Sequence, residues 1–240
     1  ASGIYTIKAS SPDGTMNDAQ EKFLVGDRET IFASAAQQAR KFASDQKFKS
    51  IPCISESLLF LADRLEGKLH PSLSSDELKI LAVDFIKDVI TAVNSDSTGY
   101  QAKDGLNTSR NHNSGNNNTG NHTLNGHNNP VYQKLTGYRQ WAYRSEIDKT
   151  LQPFSLYIPQ NYNPEKKYSL VVQLHGYSGN DYEGGVHLAN LAPSDMLIVS
   201  VYGRGDVYYE SLAEQDVLDV MDIIMNNYPI DPDRVYITGN

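Results

Sequence analysis

Along this chain the spacing of apolar residues changes twice. In the first third they recur at helical intervals: Ile31, Phe32, Ala35, Ala39 and Phe42, then Ile54, Leu58, Leu61, Ala62 and Leu65, then Leu78, Leu81, Ala82, Phe85, Ile86, Val89 and Val93. That period predicts three amphipathic helices. Gly67 offers a stop for the second, and Ser74-Ser75-Asp76-Glu77 offers capping side chains for the third. Stripes of this kind bury surface, so the helices are expected to pack on one another as a structural unit. A lid, a propeptide-like inhibitor or a partner-docking module are the functional alternatives. Upstream, residues 4–8 predict a short strand, and Pro12-Asp13-Gly14 predicts a turn.

Between residues 95 and 130 apolar residues almost vanish, as in SRNHNSGNNNTGNHTLNGHNNP. A segment that buries no apolar surface does not recover the entropy of ordering, so a flexible linker is expected over 101–130. It divides a helical domain at 1–100 from a second domain at 131–240. His112, His122 and His127 lie in this tract at a spacing that matches no standard metal-ligand pattern. Three N-glycosylation sequons, beginning at Asn107, Asn117 and Asn121, also fall there.

Beyond Pro130 the pattern turns to strands. Residues 137–147 and 154–158 (FSLYI) predict an antiparallel hairpin about a turn at Asp148-Lys149-Thr150. Residues 169–180, SLVVQLHGYSGN, pass from a continuous apolar run into a glycine-punctuated loop at His175-Gly176. A run without alternation predicts a strand covered on both faces, and Gly176 and Gly179 permit a sharp turn there, with positive φ if needed. Residues 197–201 predict a further strand, followed by the loop Tyr202-Gly203-Arg204-Gly205-Asp206. A helix is predicted over 211–227, with Leu212, Val217, Leu218, Met221, Ile224 and Met225 inward. Residues 234–238 predict a last strand. Five strands interleaved with helices imply an α/β fold with a mostly parallel sheet.

Composition narrows the partners. The chain has 240 residues, 39% of them hydrophobic, with a net charge of -8. That balance argues against nucleic acid and anionic membranes, both of which demand clustered Lys and Arg. The single cysteine, Cys53, excludes an internal disulfide framework and reads as a small buried apolar residue. No bilayer-length apolar run is present. The chain begins at Ala1, which is read as the mark of an upstream removal, whether signal peptide, propeptide, tag or initiator.

Taken together, YRSEIDKTLQPFSLYIPQNYNPEKKYSLVVQLHGYSGN, then VYGRGD with its acidic helix, then IDPDRVYITGN resemble the esterase and prolyl-oligopeptidase-like branch of the α/β-hydrolase superfamily. The likeness is to its secreted esterase, depolymerase and feruloyl-esterase-like members, and covers residues 138–240. It implies that the backbone N–H of Tyr177 is an oxyanion-hole donor, with Gly176 and His175 shaping the loop. It implies also that Gly239 and Asn240 open the strand-to-helix elbow that presents a serine nucleophile. The triad in this fold runs Ser, Asp or Glu, His, so all three members are expected beyond Asn240, and neither His175 nor His187 is the base. Arg204 and Asp206 are expected to line the substrate cleft. Glu210, Glu214, Asp216, Asp219 and Asp222 read as the solvated face of a helix.

The function that follows is an extracellular carboxylesterase working through an acyl-enzyme, without cofactor or metal. Its expected partner is the remainder of the same hydrolase, on the same polypeptide or as a second chain released by self-cleavage at Asn240. A prolyl-oligopeptidase-like serine peptidase and a non-catalytic binding or regulatory fragment are the alternatives.

Overall fold

The computed structural model describes residues 3–9, 19–96 and 129–239. The 101–130 tract up to residue 128, with its histidines and sequons, the Pro12-Asp13-Gly14 turn and Asn240 lie outside the described residues. A hairpin opens the chain: β1 (Gly3–Ala9) and β2 (Ala19–Val25) pair antiparallel. The three helices follow where the stripes predict them. α1 (Arg28–Ala43) is capped by Asp27. A single turn, α2 (Gln46–Lys49), leads to α3 (Ile54–Leu65), and the chain leaves α3 through Gly67 at φ +69°. α4 (Asp76–Asn94) starts at Ser75, whose hydroxyl accepts Leu78 N–H.

After the short α5 (Pro130–Lys134) comes a five-stranded sheet. Its members are β3 (Gly137–Arg144), β4 (Leu151–Ile158), β5 (Tyr168–Leu174), β6 (Met196–Val201) and β7 (Ile230–Gly239). The spatial order is β3-β4-β6-β5-β7. The fold is α/β, with parallel pairing confined to β6-β5-β7; β3-β4 and β4-β6 are antiparallel. Pro153 sits in β4 just before its ladder with β6 begins at Phe154, where its missing N–H leaves no gap. Two helices connect the parallel strands, α6 (Asp181–Leu191) and α7 (Leu212–Asn227).

One hydrophobic core runs from the helices into the sheet, taking in Ala39, Leu58, Leu61 and Val89 together with Trp141, Phe154, Leu170 and Val199. Trp141 meets Phe85 of α4 edge-on at 5.2 Å and Tyr132 of α5 at 5.9 Å. The helices thus bury their stripes on β3 as well as on each other. α7 departs from the predicted inner face. Ala213, Val217, Val220 and Ile224 are buried, whereas Leu212 and Leu218 are exposed, so the buried stripe is rotated from the expected one.

Candidate functional site

Both faces of β5 are covered, with Leu170 and Val172 buried on one and Ser169 and Gln173 on the other, and the strand ends at Leu174. His175 follows, buried, with its ring tilted against Tyr202 and edge-on to Tyr209. Its Nδ1 lies 2.8 Å from Gly176 O and its Nε2 2.8 Å from Tyr202 O. In either neutral tautomer one nitrogen donates and the other does not, so the ring holds one of these carbonyls by a hydrogen bond and sits against the other. His175 N–H donates to the Tyr209 hydroxyl at 2.9 Å, and that hydroxyl donates to Val201 O at 2.8 Å. Tyr209 therefore ties together the ends of two neighbouring strands.

The turn itself is built otherwise than its glycines suggest. Gly179 N–H donates to Gly176 O at 3.0 Å, making a four-residue turn with Tyr177 and Ser178 at its centre. The positive φ falls on Ser178, at +57°, and on neither glycine. A left-handed third residue is what a type II turn requires. Gly179 is needed for space: a Cβ there would lie 3.0 Å from Gly176 O and 3.2 Å from the His175 ring. Ser178 N–H donates to the Asp206 carboxylate at 2.6 Å, fastening this loop to the one after β6. That leaves the backbone N–H groups of Gly176 and Tyr177 with no acceptor among the described residues. Tyr177 is 76% exposed, so the turn stands at the surface.

Strand register brings the end of β7 to the same place. Leu174 pairs with Gly239, one residue before His175. A Cβ at Gly239 would come within 3.3 Å of Leu174, so the two strand ends approach closely. Gly239 is therefore adjacent to the His175-Gly176-Tyr177 loop, while Asn240 lies outside the described residues.

The loop after β6 is conformationally expensive. Arg204, Tyr208, Tyr209 and Ser211 all have φ between +54° and +63°. Left-handed non-glycine residues persist only where surrounding contacts over-determine them, and they gather at sites of function. Gly203 is held close to the Tyr209 ring, where a Cβ would sit 2.4 Å from Cε1. The Arg204 guanidinium meets Asp216 on α7 at 2.7 Å, Asp148 in the β3-β4 turn, and the Ser145 hydroxyl at 3.3 Å. With its charge committed to two carboxylates, Arg204 anchors the loop. Asp206 reaches the β5 loop through its side-chain carboxylate, which accepts Ser178 N–H. Tyr208, 77% exposed, stands on the same loop.

Two buried carboxylates escaped the sequence reading. Asp216, expected on a solvated face, is buried, accepts the Tyr143 hydroxyl at 2.6 Å and pairs with Arg204. Asp181, the first residue of α6, is fully buried. It accepts Gln140 Nε2 at 2.6 and 2.8 Å and the Ser155 hydroxyl at 2.7 Å. Burial raises its pKa, against those hydrogen bonds and the field of Arg64. α6 reaches this position because Gly184 and Gly185 carry no Cβ: one at Gly185 would fall 2.4 Å from the Tyr138 hydroxyl. His187 is exposed on the far side of that helix. Cys53 is buried and left-handed at φ +60°, and burial pushes its thiol pKa upward, away from reactivity. Among the described residues no group of three His, Cys, Asp or Glu could hold a metal ion, and no helix is long and apolar enough to cross a membrane.

No family model and no curated protein matches the chain. Among solved structures it is similar over part of its length to a thermostable esterase, at 20% identity and a TM-score of 0.34, covering 42% of this chain and 34% of that one. The CE1 ferulic acid esterase AmCE1/Fae1A of Anaeromyces mucronatus gives 21% identity and a TM-score of 0.34, covering 42% of this chain and 48% of that one. The fluorophosphonate-binding serine hydrolase FphF of Staphylococcus aureus gives 20% identity and a TM-score of 0.34, covering 43% of this chain and 46% of that one. The chain spans less than half the length of each of these three structures.

Proposed function

We propose that this chain forms the sheet and oxyanion loop of a serine hydrolase of the α/β-hydrolase type, cleaving carboxylic esters through an acyl-enzyme, with its nucleophile and triad beyond Asn240. One observation carries the reading: two successive amides, Gly176 and Tyr177, without an acceptor among the described residues, at the carboxyl end of a buried parallel strand, beside the end of the neighbouring strand at Gly239. Preorganised N–H donors at that position would face the charge that develops on an attacked carbonyl oxygen, and such donors supply a large share of the acceleration in acyl transfer. His175, Tyr209 and Asp206 hold the donors in place, so little reorganisation is required as charge appears. The exposed Tyr177 and Tyr208 give the loop mouth aromatic rims, which suits bulky acyl groups or acylated polysaccharide and polyester more than a small free acid. The enzyme is proposed to act outside the cell.

The remainder of the hydrolase is the proposed partner, packing on β7. Tyr236 is 53% and Ile237 66% exposed on that strand, one toward each face of the sheet, and elements packing on both sides would remove them from water.

The test uses the polypeptide that continues through Asn240. A fluorophosphonate probe is expected to label a serine just past it, and Tyr177→Pro to lower kcat by roughly 10²–10³-fold, because proline removes one donor. Proline is favoured at the second position of such a turn, so the loop should survive. Tyr177→Ala, which keeps the N–H, should retain the rate. Full activity in Tyr177→Pro, or no labelled serine, would sink the proposal.

A further inference from the structure

The helical layer meets the 175–180 loop through the connection between α3 and α4, where the chain makes a single 3-10 turn at Pro71–Leu73. This turn is held from within and by α3. Leu73 N–H donates to His70 O at 2.9 Å, Ser72 N–H donates to the His70 ring Nδ1 at 3.4 Å, and the Nε of buried Arg64 donates to Leu73 O at 2.5 Å. The carbonyl of Ser72 is then an acceptor in a fixed place. Asn180 Nδ2 donates to it at 3.2 Å, across 108 residues of chain.

Asn180 is 2% exposed and closes the loop that begins at His175. Its side chain has two duties: Oδ1 accepts Glu183 N–H at 2.9 Å, which caps α6, and Nδ2 makes the bond to Ser72. The Ser72 side chain also meets Tyr202, where burial raises the hydroxyl pKa and hydrogen bonding with Ser72 opposes that rise. Tyr202 O in turn sits 2.8 Å from Nε2 of His175. One residue of the helical layer thus touches the last residue of the loop directly and its first through Tyr202. Between those ends the packing has little slack, because Gly179 has no room for a Cβ beside Gly176 O and the His175 ring. A shift of Asn180 is therefore passed on to Gly176 and Tyr177 rather than absorbed.

We propose that Asn180, held by Ser72 of the helical layer, is a positioning residue for the Gly176 and Tyr177 donors. The role rests on the proposed serine-hydrolase activity, and it gives the helices a part in that activity beyond burying their stripes. Amide donors are effective only if they are fixed before charge appears on the substrate, and a misplacement of about 1 Å costs about 10²-fold in rate. Asp206 and Tyr209 both fasten the loop from the segment after β6. The Asn180 bond adds a hold from a different layer of the fold, at the end of the loop that those two contacts do not reach.

The test compares the polypeptide that continues through Asn240 with its Asn180→Ser and Asn180→Ala variants. Serine keeps an oxygen for the α6 cap and loses the amide donor, whereas alanine loses both. On an aryl ester both variants are expected to lower kcat by roughly tenfold with KM within about twofold of wild type, although alanine should be the less stable of the two. If Asn180 served only as a cap, Asn180→Ser would keep the wild-type kcat and Asn180→Ala alone would be impaired. Hydrogen exchange of the Gly179 amide, which is bonded to Gly176 O, should speed up in Asn180→Ser and reads the hold on the loop without any chemistry. A wild-type kcat in Asn180→Ser, or unchanged exchange there, would overturn this role alone. No ester hydrolysis by the wild type would overturn the hydrolase reading, and the role with it.

Discussion

Along the free edge of β3 the backbone is met by α3: the Ser57 hydroxyl accepts Ala142 N–H at 2.9 Å and lies 3.4 Å from Ala142 O, while Trp141 is buried under α4 and α5. At the opposite edge β7 has β5 on one side and no described strand on the other, and from Asp231 to Gly239 none of its residues is buried. A sheet edge is a row of unpaired amides and carbonyls that draws other strands unless something covers it. The helices at 28–94 perform that service for β3. Their stripes, which alone suggest only a bundle, are therefore also part of the sheet's stability. Among the described residues β7 has no comparable cover, and the loop of Gly176 and Tyr177 lies at its carboxyl end.

The largest effect is expected at the covered edge. Trp141→Ala should destabilise by about 3–5 kcal/mol, as for deletion of a large aromatic side chain from a packed core. Equilibrium denaturation of the variant checks it; a loss below 1 kcal/mol would mean that the helices do not depend on this contact. Next, Ser57→Ala leaves a buried N–H without an acceptor and should cost about 1–3 kcal/mol by the same measurement. A neutral result would show water replacing the hydroxyl, and with it a looser seal on the edge.

Between the edges, Asp181 allows a pH test. Its pKa is raised in the folded protein, so the native state binds a proton more tightly than the unfolded chain does. This group therefore lowers stability as pH rises from about 3.9, the unfolded value, through its folded pKa, and the loss levels off above that. Asp148 and Glu66 act with the opposite sign. Their pKa values are lowered, Asp148 chiefly by Arg204 and Glu66 to about 2 chiefly by Arg40, so their contribution is lost as pH falls. Asp181→Asn should remove only the first component, so the variant should gain stability relative to wild type as pH rises from about 4 through the folded pKa of Asp181, the difference levelling off above it. Unchanged curves would place the proton elsewhere. The smallest stability change belongs to the bare edge: Ile237→Lys should shift unfolding by no more than about 0.5 kcal/mol. It should nonetheless reduce self-association in sedimentation velocity, since an inserted charge is a common guard on an exposed edge. A large loss of stability there would mean that β7 is covered after all.

Much of this was legible from residue order. The three helical stripes, the hairpin about Asp148, the buried run of β5 and the strand after Arg234 all appear where the spacing predicts. What was missed has a shared cause. α6 has few apolar residues and two adjacent glycines, so its period is weak, and its place is set by Tyr138 and Ser200 pressed against those glycines. Asp216 looks like one more acid on a polar face because periodicity does not say which carboxylate meets Tyr143 and Arg204. The ion pairs of Arg204 are likewise invisible to periodicity, since Asp148 lies 56 residues upstream and Asp216 on the next helix.

Sequence by itself determined the alternation of helix and strand and the place where a covered strand breaks into a loop, because side-chain burial imposes a period that can be read locally. Only the tertiary structure decided which glycine was needed for space and which serine takes the left-handed turn, which amides are left unbonded, and which edge the helices cover. Those outcomes depend on atoms brought together from distant parts of the chain, where close contact and the loss of water set the energy.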